Sequence, residues 1–150
     1  MNLMVALLTN IPLITGGIAF LLSQIIKVII YYFKEKEFNI MHFFEAAGMP
    51  STHSAMSCAM TLMIGITEGF ASSLFAVALV FTIIVLYDAM GVRFAAGQQA
   101  VVINKIIEDI YSEKISEKEK MKELIGHTPF EVLVGGLIGI AVALLLNAII

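Results

Sequence analysis

Residues 11–33 read IPLITGGIAFLLSQIIKVIIYYF, with Lys27 as their single charged side chain. A helix crosses the hydrocarbon core of a bilayer with roughly 20 predominantly apolar residues. This run supplies them, and the fold class follows. Three further windows have the same character: residues 52–67, which are short for the task, 72–90 and 128–150. The chain of 150 residues is 59% hydrophobic and 14% charged, against about 45–50% apolar and about 25% charged in a soluble domain. Its mean hydropathy is +0.94. The sequence therefore predicts an all-α integral membrane protein, a single domain over residues 1–150 with about four transmembrane helices. The expected surroundings are the lipid bilayer, with no nucleic-acid partner. One cysteine, Cys58, leaves no intrachain disulfide to form, and it reads as a small buried hydrophobe. The opening MNLMVALLTN has no Lys or Arg, so it reads as a lead-in to the first span rather than a cleavable signal.

Four alternating spans place Lys34, Lys36, Arg93, Lys105, Lys114, Lys118, Lys120 and Lys122 on one face of the membrane. The other face receives Glu68 and both termini, and no Lys or Arg. The bias of basic residues assigns the charged face to the cytoplasm. The cytoplasmic segment, about residues 91–127, has internal order. Val102, Ile103, Ile106, Ile107 and Ile110 recur at helical spacing, opposite Lys105, Glu108 and Asp109. This pattern predicts an amphipathic interfacial helix in the connection between spans three and four. SEKISEKEK reads as a solvated turn, and Ser116 with Glu119 fits a capping box for a short helix ending at Gly126.

Few polar residues lie at membrane depth, and such residues are functional candidates by default. Lys27 has Gln24 one turn deeper and Tyr31 one turn nearer the charged face. A phosphate ligand and a snorkelling anchor both fit its position. Residues 48–56, GMPSTHSAM, combine a glycine for a sharp turn and Pro50, suited to a first helical turn. Ser51, Thr52 and Ser54 can cap orphan N–H groups there. A helix N-terminus is an anion site by construction, and His53 adds a proton donor or acceptor near neutral pH. Asp88 and Arg93 flank the end of span three. Asp88 opposes the helix dipole and wants a cationic partner as structural support. Arg93 fits that role, or bidentate binding of an anion.

The run GHTPFEV opens span four. Thr128 as N-cap, Pro129 at the first helical position and Glu131 two residues on form a capping box. That box explains Thr128 and Glu131 but leaves His127 without a reason. Glu131 follows His127 by about one turn, close enough to hold an imidazole. Two histidines at helix starts, with Lys27 and Arg93 on the same face, suit a phosphoryl group. Neither histidine has metal-ligand spacing, so no metal and no cofactor are expected.

PSTHSA followed by HTPFE resembles the phosphatidic acid phosphatase type 2 superfamily, which includes vanadium-dependent haloperoxidases. GMPSTHSA, YDAMGVRFAAGQQA and IGHTPFEVLVGG together are more similar to its divergent branch of small membrane proteins, labelled acid phosphatase/vanadium-dependent haloperoxidase-related. The resemblance covers nearly the whole chain. Pro50, Ser51 and His53 match the family's second block, and His127 matches the third-block histidine. Glu131 stands where the family has Asp, and Thr52 replaces a glycine. The resemblance implies His127 as nucleophile, Glu131 orienting it, and His53 protonating the leaving group. Lys27 corresponds to the first-block lysine, though no Arg-Pro follows it. Met121 occupies the place of the third-block arginine, and Arg93 is the substitute expected from elsewhere in the fold.

Gly135, Gly139 and Ala143 form a small-xxx-small row on span four, and Ala55 and Ala59 a shorter one on span two. Packing these rows together would bring His53 and His127 near each other; homodimerisation through the glycine row is the alternative. The expected activity is a metal-independent phosphatase acting on a lipid phosphate or polyprenyl phosphate, facing the cytoplasm in a bacterial plasma membrane. A non-catalytic protein that binds or translocates an anionic lipid is the alternative.

Overall fold

The computed structural model describes residues 2–36, 43, 48–111 and 126–150. They form six helices: α1 (Leu3–Leu8), α2 (Ile11–Glu35), α3 (Thr52–Glu68), α4 (Ser73–Met90), α5 (Val92–Tyr111) and α6 (Pro129–Ile149). Local chemistry sets their ends. Asn10 Oδ1 accepts the Leu13 N–H at 3.0 Å to start α2, with Pro12 in the first turn. Ser72 Oγ accepts the Phe75 N–H at 3.2 Å to start α4. Gly69, at φ 90°, stops α3 with a conformation that suits glycine, which makes the sharp turn into α4. Thr128 and Glu131 form the expected capping box.

Helix α3 is the centre of the bundle, with α6, α2 and α4 packed around it. The helices α2 and α6, and the stretch from α4 into α5, are long and apolar enough to cross a membrane. The second expected span, the short one, is α3, which has 17 residues, about 25 Å at about 1.5 Å per residue. Its lower apolarity has a physical reason. Thr52, Ser54, Ser57 and Thr61 are buried against protein rather than lipid, so they carry hydrogen bonds instead of facing hydrocarbon. Thr61 Oγ1 lies 2.8 Å from Thr82 Oγ1 and donates to the Ala78 carbonyl at 3.2 Å. The Thr82 hydroxyl is 3.3 Å from the Ser57 carbonyl. This ladder stitches α3 to α4 where no water is available to satisfy the groups.

The distribution of side chains is that of a membrane protein. The core is small: Ala19, Ala55, Ala59 and Val142 meet where α2, α3 and α6 converge. Ile25, Val80, Phe81, Leu137 and Leu145 face outward, toward lipid. Gly135 and Gly139 let the α3 backbone lie directly on α6. A Cβ on Gly139 would collide with the Ala55 carbonyl oxygen, and one on Gly135 with the Ser51 carbonyl oxygen. The homodimer expectation is corrected here: Gly135, Gly139 and Ala143 are buried beneath α3 of the same chain, which leaves the row no surface for a second copy.

The amphipathic helix expected around residues 102–110 is longer than its pattern suggested, because α5 begins just past the Gly91 break. Ala100 and Asn104 are buried, while Phe94, Val101, Val102, Ile103 and Ile106 are exposed. The turn SEKISEKEK and the short helix capped by Ser116 and Glu119 lie outside the described residues.

A Gly139→Ala substitution is expected to destabilise the protein by about 1–3 kcal/mol, the usual cost of overpacking. Gly17→Ala, where a Cβ meets nothing within 4 Å, is expected to leave it unchanged. Thermal unfolding of both variants in detergent checks the contrast.

Candidate functional site

The α3–α6 crossing sets the position of both histidines. The N-cap of α3, Ser51, donates its backbone N–H to the Glu131 carbonyl at 3.1 Å, which clamps the start of α3 to the first turn of α6. On the other side, the His127 N–H donates to the Ala89 carbonyl at 3.2 Å, fixing the entry to α6 against the end of α4. Thr52 Oγ1 donates to Gln24 Oε1 at 3.4 Å, a weak tie from α3 to α2. Four helices therefore meet around the two histidine-bearing helix starts.

Pro50 lies before the N-cap rather than in the first turn, in a cis peptide with Met49. The helix begins at Thr52, two residues past Pro50, with Ser51 as an extended N-cap bonded to the Glu131 carbonyl. Gly48 has two independent reasons to be glycine: its φ is 98°, and an added Cβ would lie 2.7 Å from the Tyr31 hydroxyl.

The Ser51 side chain does not cap α3. Its hydroxyl instead accepts from the Ser54 hydroxyl at 2.8 Å, and both residues are fully buried. The dipole and the backbone donors of the first turn of α3 are thus left without the side-chain oxygen that Asn10, Ser72 and Thr128 supply to their helices. Such a terminus favours an anion.

Lys27 is 0% exposed. The snorkelling alternative does not hold, because the side chain stays inside the bundle. Ser23, one turn deeper on the same face of α2, was missed by the sequence reading. It is also fully buried, and its hydroxyl has no hydrogen-bond partner among the described residues. The spacing Thr15, Ala19, Ser23, Lys27 was the available signal, since four-residue steps mark one helix face.

His127 is buried, whereas His53 is exposed at the second position of α3. The Nδ1 of His127 lies 3.4 Å from Glu131 Oε2, and the same oxygen accepts the Thr128 N–H at 2.8 Å. One carboxylate thus closes the capping box and orients the imidazole. With Nδ1–H directed at Glu131, the lone pair belongs to Nε2. Burial lowers the pKa of His127 below the ordinary histidine value. Glu131 works against this, while the positive charges of Lys27 and His53 add to it. Lys27 and His53 therefore each lie within electrostatic reach of His127.

Asp88 is half-buried in the last turn of α4. Arg93 is in the first turn of α5, and its side chain lies outside the described residues. Among the described residues no three His, Cys, Asp or Glu side chains gather as metal ligands.

No solved structure matches the chain. It is 42% identical to the "Uncharacterized membrane protein YuiD" of Bacillus subtilis (strain 168), over 93% of this chain and 96% of that one. Residues 8–142 match the family model described as "Divergent PAP2 family". With its two histidine-bearing helix starts brought together on one bundle of apolar helices, the chain belongs to the divergent PAP2 family.

Proposed function

We propose that the protein is a metal-independent phosphatase of lipid or polyprenyl phosphates, with its site on the cytoplasmic side of a bacterial plasma membrane. The observation that carries this reading is the burial of Lys27 within electrostatic reach of His127, beside the uncapped start of α3. An ionisable group at membrane depth is a functional candidate by default, and a phosphate monoester is an anion that a buried ammonium can bind.

In this reading Lys27 and the backbone N–H groups of the α3 start hold the phosphoryl oxygens. Ser51, Thr52, Ser54 and Arg93 belong to the surrounding phosphate-binding shell, and Asp88 supports it. His127 Nε2 attacks phosphorus while Glu131 keeps Nδ1 protonated and stabilises the positive charge that forms. The P–N bond forms as the bond from phosphorus to the lipid oxygen breaks, and His53 gives a proton to that leaving oxygen. Water then attacks the phosphohistidine with His53 as base, which releases phosphate and returns the imidazole. The low pKa of His127 helps, since the attacking ring must be neutral.

Phosphate release from a panel of lipid phosphates, in detergent with EDTA present, tests the assignment. Wild type is expected to be active. His127→Ala is expected to abolish turnover, and His53→Ala to reduce it by about 10²–10⁴-fold, the usual worth of a general acid. Folded wild-type protein that binds anionic lipid but releases no phosphate would replace this reading with a binding or translocating protein.

The pH profile is a second test. The acid limb of kcat/KM reports protonation of His127 in the free enzyme, so it is expected below pH 6.5. Lys27→Met removes a charge that lowers the His127 pKa, so the limb should move up in pH. Glu131→Gln removes a charge that raises it, so the limb should move further down. Limbs that stay fixed in both variants would exclude His127 as the titrating group.

A further inference from the structure

A cleft of about 490 Å³ lies at the far end of the bundle from the histidines, between the α1–α2 joint, the second half of α3 and the start of α4. Along α2, Leu13 at the cleft and Lys27 at the phosphate site are separated by about 21 Å at about 1.5 Å per residue. In a hydrocarbon core of about 30 Å, the cleft belongs to the opposite leaflet. Its volume falls within the range of roughly 300–1,000 Å³ typical of small-molecule sites.

The walls are apolar, with Ile11, Leu13, Met60, Ile64 and Leu74 among them, and the rim is polar: Thr9, Asn10, Thr67 and Glu68. The rim has a definite hydrogen-bonding character. The Thr9 hydroxyl donates to the Val5 carbonyl at 2.8 Å, and the Thr67 hydroxyl to the Met63 carbonyl at 3.0 Å. Their protons are therefore committed to the backbone, and what they present outward is acceptor capacity. Ionised Glu68 is acceptor-only. Asn10, whose Oδ1 accepts the Leu13 N–H, has its amide N–H groups to donate, and among the described residues no Lys, Arg or His lines the cleft. The rim thus suits a headgroup that both donates and accepts, as a hydroxyl does, and the Glu68 charge repels one carrying a phosphate. An ammonium beside an exposed carboxylate keeps its water and gains little from the pairing. A hydroxyl costs far less to bring to the edge of hydrocarbon than a charge does.

We infer that this cleft binds an uncharged lipid alcohol, its hydroxyls on the Glu68 rim and one chain against Met60, Ile64 and Leu74. The two ends of the α2–α3 pair then have opposite preferences. The Lys27 end takes the phosphorylated lipid and the Glu68 end takes the dephosphorylated one. The role as a product site rests on the phosphatase reading; the binding preference does not.

Titration calorimetry of the purified protein in detergent tests it, with dioctanoylglycerol, dioctanoyl phosphatidic acid and dodecylammonium as probes. The wild type and the His127→Ala variant should both bind the diol saturably. Leu74→Trp, at a position 54% exposed, should fill the cleft and weaken the diol by about tenfold or more. Glu68→Lys, on the exposed rim, should weaken it too and let the phosphate probe bind in a Lys27→Met background, where the Lys27 end no longer takes it. Preference for dodecylammonium over the diol, or diol binding indifferent to both cleft substitutions, would overturn the inference. Diol binding by protein that releases no phosphate would uphold the cleft and remove the phosphatase reading. Phosphate release without diol binding would do the reverse.

Discussion

The contact between the α3 backbone and the glycine face of α6 is the constraint on which the rest depends. Without Cβ atoms at Gly135 and Gly139, the carbonyls of Ser51 and Ala55 come to rest on α6 itself. In a bilayer there is no hydrophobic drive between helices, so close van der Waals packing of this kind is what holds them. The same contact aligns the first turns of the two helices. The Ser51 N–H then reaches the Glu131 carbonyl, and His53 comes within electrostatic reach of His127. Packing and site are one feature, read from two ends of the same crossing.

Electrostatics build on that geometry. Lys27 is sealed into the bundle, and both it and His53, at the start of α3 that Ser51 does not cap, act on His127. Glu131 faces the His127 ring and accepts the Thr128 N–H. A negatively charged visitor at the α3 start would meet Lys27 and the positive end of the helix dipole, and burial makes such attraction count for more than it would in water. It also keeps His127 in its neutral form.

Much of this was legible in the sequence, and the limits have physical causes. The 3.6-residue periodicity and the long apolar runs gave the helices. Thr128, Pro129 and Glu131 gave the α6 start, because capping is a local matter. The small-residue rows on α3 and α6 foretold their packing, since only a row that lets backbones touch has that spacing. The fate of Lys27 was not legible. Whether a lysine two turns from a helix end snorkels or stays inside depends on which neighbours cover it, and that is a tertiary fact. Ser23 escaped notice for the same reason, since a serine in a membrane helix is ordinary until its surroundings are known. The hydroxyl pair of Ser51 and Ser54 was likewise hidden. Sequence offers both as caps, yet in the fold they bond to each other and leave the helix start open.

The most direct test of the convergence of Lys27, His127 and the α3 start on one anion is the binding of orthovanadate, which resembles a phosphoryl group in its transition state. Calorimetric titration of purified protein in detergent should give saturable binding of one vanadate per chain, lost in Lys27→Met. Binding of equal strength in wild type and Lys27→Met, or no binding by folded wild-type protein, would contradict a common anion site.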